Sequence, residues 1–222
     1  NIEDSLEKAS LHQLMRGINE FKKSGHQLFF EVKVTVLRNH TIDNLKWFLE
    51  GFGICENIDI AYSQGGYDTL MEEIFNSESI LYRTQPEVIV ISLVLENLVP
   101  EFTKNEFSFE EVTESIQQMT ELIRSRSSGL IIINMFLCPL YNSDGIISLN
   151  NVHSIENKIQ NINAWISQLC QDNRGIYVVD WNQLEQRLGE EQSRDYRLWY
   201  TSKLRFHGLS WLIILVPFQI CY

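Results

Sequence analysis

The 222-residue chain predicts a three-layer α/β/α domain built on about five parallel strands. Two observations carry this. Strand-like and helix-like segments alternate along the whole chain, which calls for a parallel sheet with helices on both faces. Two segments, EVIVISLVL (87–95) and GLIIINMFL (129–137), are nearly unbroken apolar runs, the pattern of strands covered on both sides.

The elements follow in order. Residues 4–23 place Leu6, Leu14, Ile18 and Phe21 at helical spacing, and Ser24-Gly25 closes that helix. LFFEVKVTVL (28–37) is rich in β-branched and aromatic residues and reads as the first strand. IDNLKWFLEGF (42–52) carries Ile42, Leu45, Phe48 and Leu49 on one helical face, with Gly51 and Gly53 expected to end it. NIDIAYS (57–63) is a short second strand, followed by a Gly65-Gly66 turn and a helix through DTLMEEIF. The third strand lies in EVIVISLVL, and a long amphipathic helix spans 106–127. The fourth strand lies in GLIIINMFL, and a polar loop at 141–151 leads to a helix over 152–171. GIYVVDW (175–181) is the fifth strand, and a last helix is expected in GLSWLIILV (208–216). Right-handed crossovers then give a flavodoxin-like arrangement. No internal repeat or linker divides the chain, so residues 1–222 are expected to form one domain.

Composition narrows the function. A net charge of -11 argues against a grip on nucleic acid or an anionic membrane, either of which needs a basic face. The one adjacent basic pair, Lys22-Lys23, reads as a solvated helix end. Cys55, Cys138, Cys170 and Cys221 are widely spaced, and no Cys/His spacing suits zinc. A buried thiol is expected at Cys138, and reduced cysteines fit a cytoplasmic protein. No signal peptide opens the chain, and its late apolar run is too short to span a bilayer. A start at Asn1 and a stop on an apolar tail read as a piece of a longer polypeptide. P-loop, dinucleotide-turn, nucleophile-elbow and paired-histidine zinc motifs are absent, so neither a cofactor nor a metal is expected.

The richest corner is RNHT, Arg38 to Thr41, where the first strand ends on the lip at which open α/β sheets bind ligands. Three readings stay open. In the first, Thr41 caps the next helix, Asp43 complements its dipole and Arg38 pairs with an internal carboxylate such as Glu96. In the second, Arg38, Asn39, His40, Asn97 and His207 line one cleft, with Thr41, Gly66 and Glu96 beside it. Such a cleft would hold a phosphate, a carboxylate or a phosphopantetheine arm. Gly65-Gly66 then either lends backbone N–H groups to an anion or is a plain turn. In the third, His40 or His207 works as an acid/base. His12, His26 and His153 stand in polar surroundings and read as solvated. Trp199 and Tyr200, beside Arg197 and Lys203, either form a docking face for an acidic carrier protein or pack the last helix.

Laid on this strand order, the chain resembles SGNH (GDSL-type) hydrolases. That family's first block would fall on Arg38, Asn39 and His40, its second on Gly65 or Gly66, its third on Val94, Leu95, Glu96 and Asn97, and its last on Leu204 and His207. Only the glycine and the histidine survive. His40 stands for the serine, Val94 and Glu96 for the oxyanion-hole residues, and Leu204 for the orienting Asp, so the resemblance implies a dead hydrolase.

Three further segments, Leu37 to Asp43, Ser79 to Glu87 and Trp199 to Leu204, agree in order and spacing with the N-terminal region of FkbH-type proteins. That resemblance covers roughly residues 30 to 205. It implies a companion domain of polyketide assembly lines, in which a glyceryl unit is loaded onto an acyl carrier protein. The implied partner is that carrier or an adjacent megasynthase domain. The family's chemistry resides in a following HAD-type domain whose Asp-x-Asp-x-Thr motif this sequence lacks. His40 and His207 depart from the family's pattern and keep a diverged esterase or acyltransferase in view as the alternative.

Overall fold

The computed structural model describes residues 11–99, 101–138 and 145–189. Its centre is a five-stranded, all-parallel sheet in the order β2-β1-β3-β4-β5. The strands are β1 (Phe30–Arg38), β2 (Ile58–Tyr67), β3 (Val88–Ser92), β4 (Leu130–Asn134) and β5 (Ile176–Val179). The long helices are α1 (Leu11–Lys23), α2 (Leu45–Cys55), α6 (Phe109–Arg126), α7 (Ile155–Asp172) and α8 (Trp181–Leu188). Three short ones, α3 (Leu70–Phe75), α4 (Ile80–Arg83) and α5 (Leu95–Leu98), fill the crossovers around β3. The expected α/β sheet is the one observed.

Period-two alternation along the strands divides the core into two layers. Val34, Val36 and Val88 pack with Leu14 and Ile18 of α1, Phe48 and Leu49 of α2, and Trp181. Leu37, Ile89, Ile91, Ile131 and Ile133 face the other way, onto Ile74 of α3, Ile116 and Met119 of α6, and Ile159, Ile162 and Ile166 of α7. Most of these side chains are fully covered, each worth about 1.5–3 kcal/mol relative to exposure. The helix starts are well specified. Ser108 and Glu111 form a reciprocal capping box on α6, and Ser154 accepts from the Asn157 N–H on α7.

Four local expectations are corrected. Gly51 and Gly53 do not end the second helix but lie inside it, where close packing requires them. A Cβ on Gly51 would stand 2.7 Å from Leu14 Cδ1, and one on Gly53 would stand 2.6 Å from the Ile58 carbonyl oxygen. The reversal after α2 falls instead on Asn57, which takes a left-handed φ of 65°. Gly65 and Gly66 are not a turn either. β2 runs extended through both to Tyr67, and Asp68 supplies the positive φ.

The fifth strand stops at Val179, because Asp180 accepts from the N–H groups of Asn182 and Gln183 and starts α8. An Asp directly after an apolar strand is the sequence signal of that helix. Lys22 is more than a solvated helix end. It reaches Glu50 at 2.8 Å, and with Lys46 at 3.8 Å it neutralises this buried carboxylate and ties α1 to α2. No helix among the described residues is long and apolar enough to cross a membrane. The first helix before Leu11, part of the polar loop and the expected helix at 208–216 lie outside the described residues.

Gly53→Ala is expected to lower stability by about 1–3 kcal/mol, read as a drop in the urea midpoint. Gly51→Ala is expected to cost less, because its new methyl meets the end of the flexible Leu14 side chain rather than a backbone carbonyl.

Candidate functional site

The lip that the sequence pointed to is formed by the C-terminal ends of β1, β3 and β4. β1 leaves the sheet at Arg38, and the next two side chains turn inward. Asn39 is 2 % exposed and His40 is wholly buried. The Asn39 amide spans both backbone groups of one residue: its Oδ1 accepts from the Val94 N–H at 2.8 Å and its Nδ2 donates to the Val94 carbonyl at 2.9 Å.

Asn134, at the end of β4, does the same for Leu93, at 2.8 and 2.9 Å. Asn163, on α7, repeats the arrangement on Phe136, with both bonds at 2.8 Å. Asn39 and Asn134 thus end the third strand at Ser92, and Asn163 holds the chain just beyond β4. Beyond that point, backbone groups that a sixth strand residue would have satisfied are held by side-chain amides.

His40 Nε2 lies 2.9 Å from Ser92 Oγ, joining the ends of β1 and β3, and its ring meets Trp181 edge-on at 5.9 Å between centroids. A serine and an imidazole in contact are the raw material of a nucleophile and its base, but the surroundings are those of a core contact. Ser92 is 3 % exposed. The cavity beside it, between Leu45, Leu49, Val179 and Trp181, holds about 20 Å³, room for roughly one water. The N–H groups of Leu93 and Val94, which follow Ser92 directly and would have to stabilise an oxyanion, are both committed to asparagine oxygens.

Arg38 heads a second group on the outer side of the lip. Its guanidinium pairs with Asp43 at 3.2 Å, donates to the His40 carbonyl at 3.3 Å, and lies 5.8 Å from the Tyr67 ring centroid. Asp43 also accepts from Gln64 Nε2, and Gln64 in turn accepts from the Tyr62 hydroxyl. Burial pushes the Tyr62 phenol up, so at neutral pH it remains a donor. A carboxylate such as Glu96 is the expected partner of Arg38. The structure gives Asp43 instead, because the chain turns directly from β1 and brings Asp43 back to the guanidinium. Glu96 sits in the first turn of α5.

Thr41 does not cap α2. Asn44 occupies that position, with no side-chain cap bond, and the Leu45 N–H turns back to the Ile42 carbonyl. Asn97 donates to the Asn39 carbonyl at 2.6 Å, so it braces the corner. Gly66 is exposed at the end of β2. An open cleft shared by Arg38, Asn39, His40 and Asn97 is therefore replaced by a plugged corner with Arg38 at its rim. His207, Leu204, Trp199, Tyr200, Arg197 and Lys203 lie outside the described residues.

A larger depression of about 470 Å³ lies between α1, α2 and the start of β2, at the opposite end of the strands. Among the described residues, no group of three or more His, Cys, Asp or Glu side chains could hold a metal ion. His12, His26 and His153 are exposed, as expected. Cys138 is half-buried against the core. Burial pushes the Cys170 thiol up to about 11, far from the acidic thiolates that act as nucleophiles.

The FkbH N-terminal domain model matches residues 33–213. Among solved structures, the N-terminal part of the protein BF1531 from Bacteroides fragilis, containing a phosphatase domain complexed with Mg, aligns at a TM-score of 0.77 and 15% identity, over 93% of this chain and 54% of that one. This chain thus spans about half the length of that neighbour. A putative lipolytic protein of the G-D-S-L family from Desulfitobacterium hafniense aligns at 0.50 and 14% identity, over 82% and 95%. At these identities the likeness is one of fold. No curated protein matches the sequence.

Two outcomes follow for this corner. Asn39→Ala strands a buried N–H and a buried C=O, and is expected to cost about 2–4 kcal/mol, measured by chemical denaturation. Cys170 is expected to react with iodoacetamide at pH 8 far more slowly than a model thiol, and to reach the model rate once urea unfolds the chain.

Proposed function

The chain belongs to the FkbH N-terminal domain family, and from that premise we propose that it is a non-catalytic, SGNH-like companion domain. In this reading it supports the loading of a glyceryl unit onto an acyl carrier protein in polyketide assembly. Its contribution is to hold the carrier or a neighbouring catalytic domain in place. The observation that carries the proposal is the state of His40. It is wholly buried and its Nε2 is engaged by Ser92; in this reading it takes the place of the hydrolases' serine.

Acyl transfer needs an accessible nucleophile and free oxyanion donors. Here both the imidazole and the adjacent N–H groups are used to close the corner. Such a site keeps the scaffold of a hydrolase while losing its chemistry, which suits a domain whose partner carries the reaction.

Arg38 is the group we assign to meet the partner. It is the cation at the rim of the lip, and its ion-pair partner Asp43 is 66% exposed. Its Nε is buried without a partner among the described residues. A phosphate or carboxylate arriving at the lip would exchange with Asp43 for the forked donors of the guanidinium. The phosphopantetheine arm of a carrier protein offers such a phosphate.

Two measurements test this reading. The chain is expected to show no turnover above background on a panel of acyl esters and acyl-carrier thioesters. His40→Ala is expected to lower the melting temperature without changing that result. Turnover that His40→Ala abolishes would sink the non-catalytic assignment in favour of a diverged esterase or acyltransferase. Calorimetric titration is expected to show the pantetheinylated carrier binding more tightly than its unmodified form, and equal affinity would remove Arg38 from the docking site.

A further inference from the structure

The Arg38–Asp43 ion pair is lopsided. The cation is set into the fold, with a side chain 10% exposed against 66% for Asp43. Its Nη1 donates to the His40 carbonyl, and the Tyr67 ring centroid lies 5.8 Å away. A guanidinium so covered is costly to leave without a counter-charge, and in the free domain Asp43 supplies one. The carboxylate stands on the solvent side, where rotation of one exposed side chain releases it without a change in the backbone. Arg38 Nε, buried without a partner among the described residues, is a donor that Asp43 leaves unused.

Asp43 is itself held in place. Its Oδ1 lies 3.2 Å from Arg38 Nη2 and accepts from Gln64 Nε2, also at 3.2 Å. Gln64 is fixed in turn by the Tyr62 hydroxyl, which donates to its Oε1. Tyr62 and Gln64 are two residues apart on β2, so their side chains leave the same face of the strand. Burial keeps the phenol protonated. A phenol that donates selects the amide orientation with Oε1 toward Tyr62 and Nε2 toward Asp43. The reverse orientation would set an amide oxygen against the carboxylate.

We propose that Asp43 is a built-in competitor for the anion that the lip recognises. It occupies the Arg38 seat in the free domain, sets the affinity, and leaves when a phosphate arrives. Gln64 and Tyr62 are positioning residues that act through it. This rests on the assignment of Arg38 to the docking site and adds what regulates that site. A tethered carboxylate competes at high effective concentration. A phosphate displaces it by offering several oxygens at once to the forked donors and to Nε. The competition keeps docking reversible, which suits a carrier that must depart after delivery.

The test titrates free phosphopantetheine into wild type and single variants by NMR, with circular dichroism checking that each variant folds. Asp43→Asn keeps an oxygen for Arg38 and Gln64 but removes the charge, and is expected to tighten binding at least about fivefold. Gln64→Leu and Tyr62→Phe change no charge, and each is expected to tighten it about twofold. Asp68→Asn removes an equal charge just past β2 and is expected to shift affinity by less than about twofold. Arg38→Gln is expected to abolish binding.

Equal affinity in Asp43→Asn and wild type, with binding lost in Arg38→Gln, would overturn the competitor and leave Arg38 in the docking site. Equal gains in Asp43→Asn and Asp68→Asn would reduce the effect to net charge and overturn it as well. No gain in either neutral variant would remove Gln64 and Tyr62 from the device. Absence of binding in wild type and Asp43→Asn alike would overturn both this proposal and the docking assignment.

Discussion

Three buried asparagine amides hold the C-terminal edge of this sheet together, and much else follows from them. Asn39, Asn134 and Asn163 each satisfy the N–H and the C=O of a single residue, doing with a side chain what a neighbouring strand does with its backbone. A parallel sheet stops somewhere, and where it stops its last peptide groups need partners or water. Here they get amides, which match the geometry of a peptide. The edge is thereby closed and fixed to the strands on either side.

That closure decides what the corner can do. The donors that would stabilise an oxyanion and the amide that would hold a ligand are the groups that fill it. A polar group buried and hydrogen-bonded is stabilising, while the same group left open for a substrate stays solvated until the substrate comes. The chain has taken the first course along β1, β3 and β4. What remains at the rim is Arg38, held by an exposed carboxylate and an aromatic ring, a group suited to recognition rather than to bond making.

The fold was legible because its evidence is local. Runs such as EVIVISLVL and the helical spacing of Leu14 and Ile18 carry their own periodicity, and alternation of the two element types implies the parallel sheet. The glycines were misread because a glycine that ends a helix and a glycine over which a neighbour packs look alike in sequence. Only the approach of Leu14 and of the Ile58 carbonyl separates them. Helix α8 is not legible in the sequence because Trp181, a buried aromatic, reads equally well as the end of a strand.

The sequence by itself determined the element order, the doubly covered strands and the concentration of polar residues at the end of β1, since each rests on side chains near one another in the chain. Tertiary structure decided what those polar residues are for. Asn39 meets Val94 across 55 residues, His40 meets Ser92 across 52, and Asn134 meets Leu93 across 41. An asparagine facing a ligand and one facing a peptide have the same chemistry, and the difference is the atom that the fold brings within 3 Å of it.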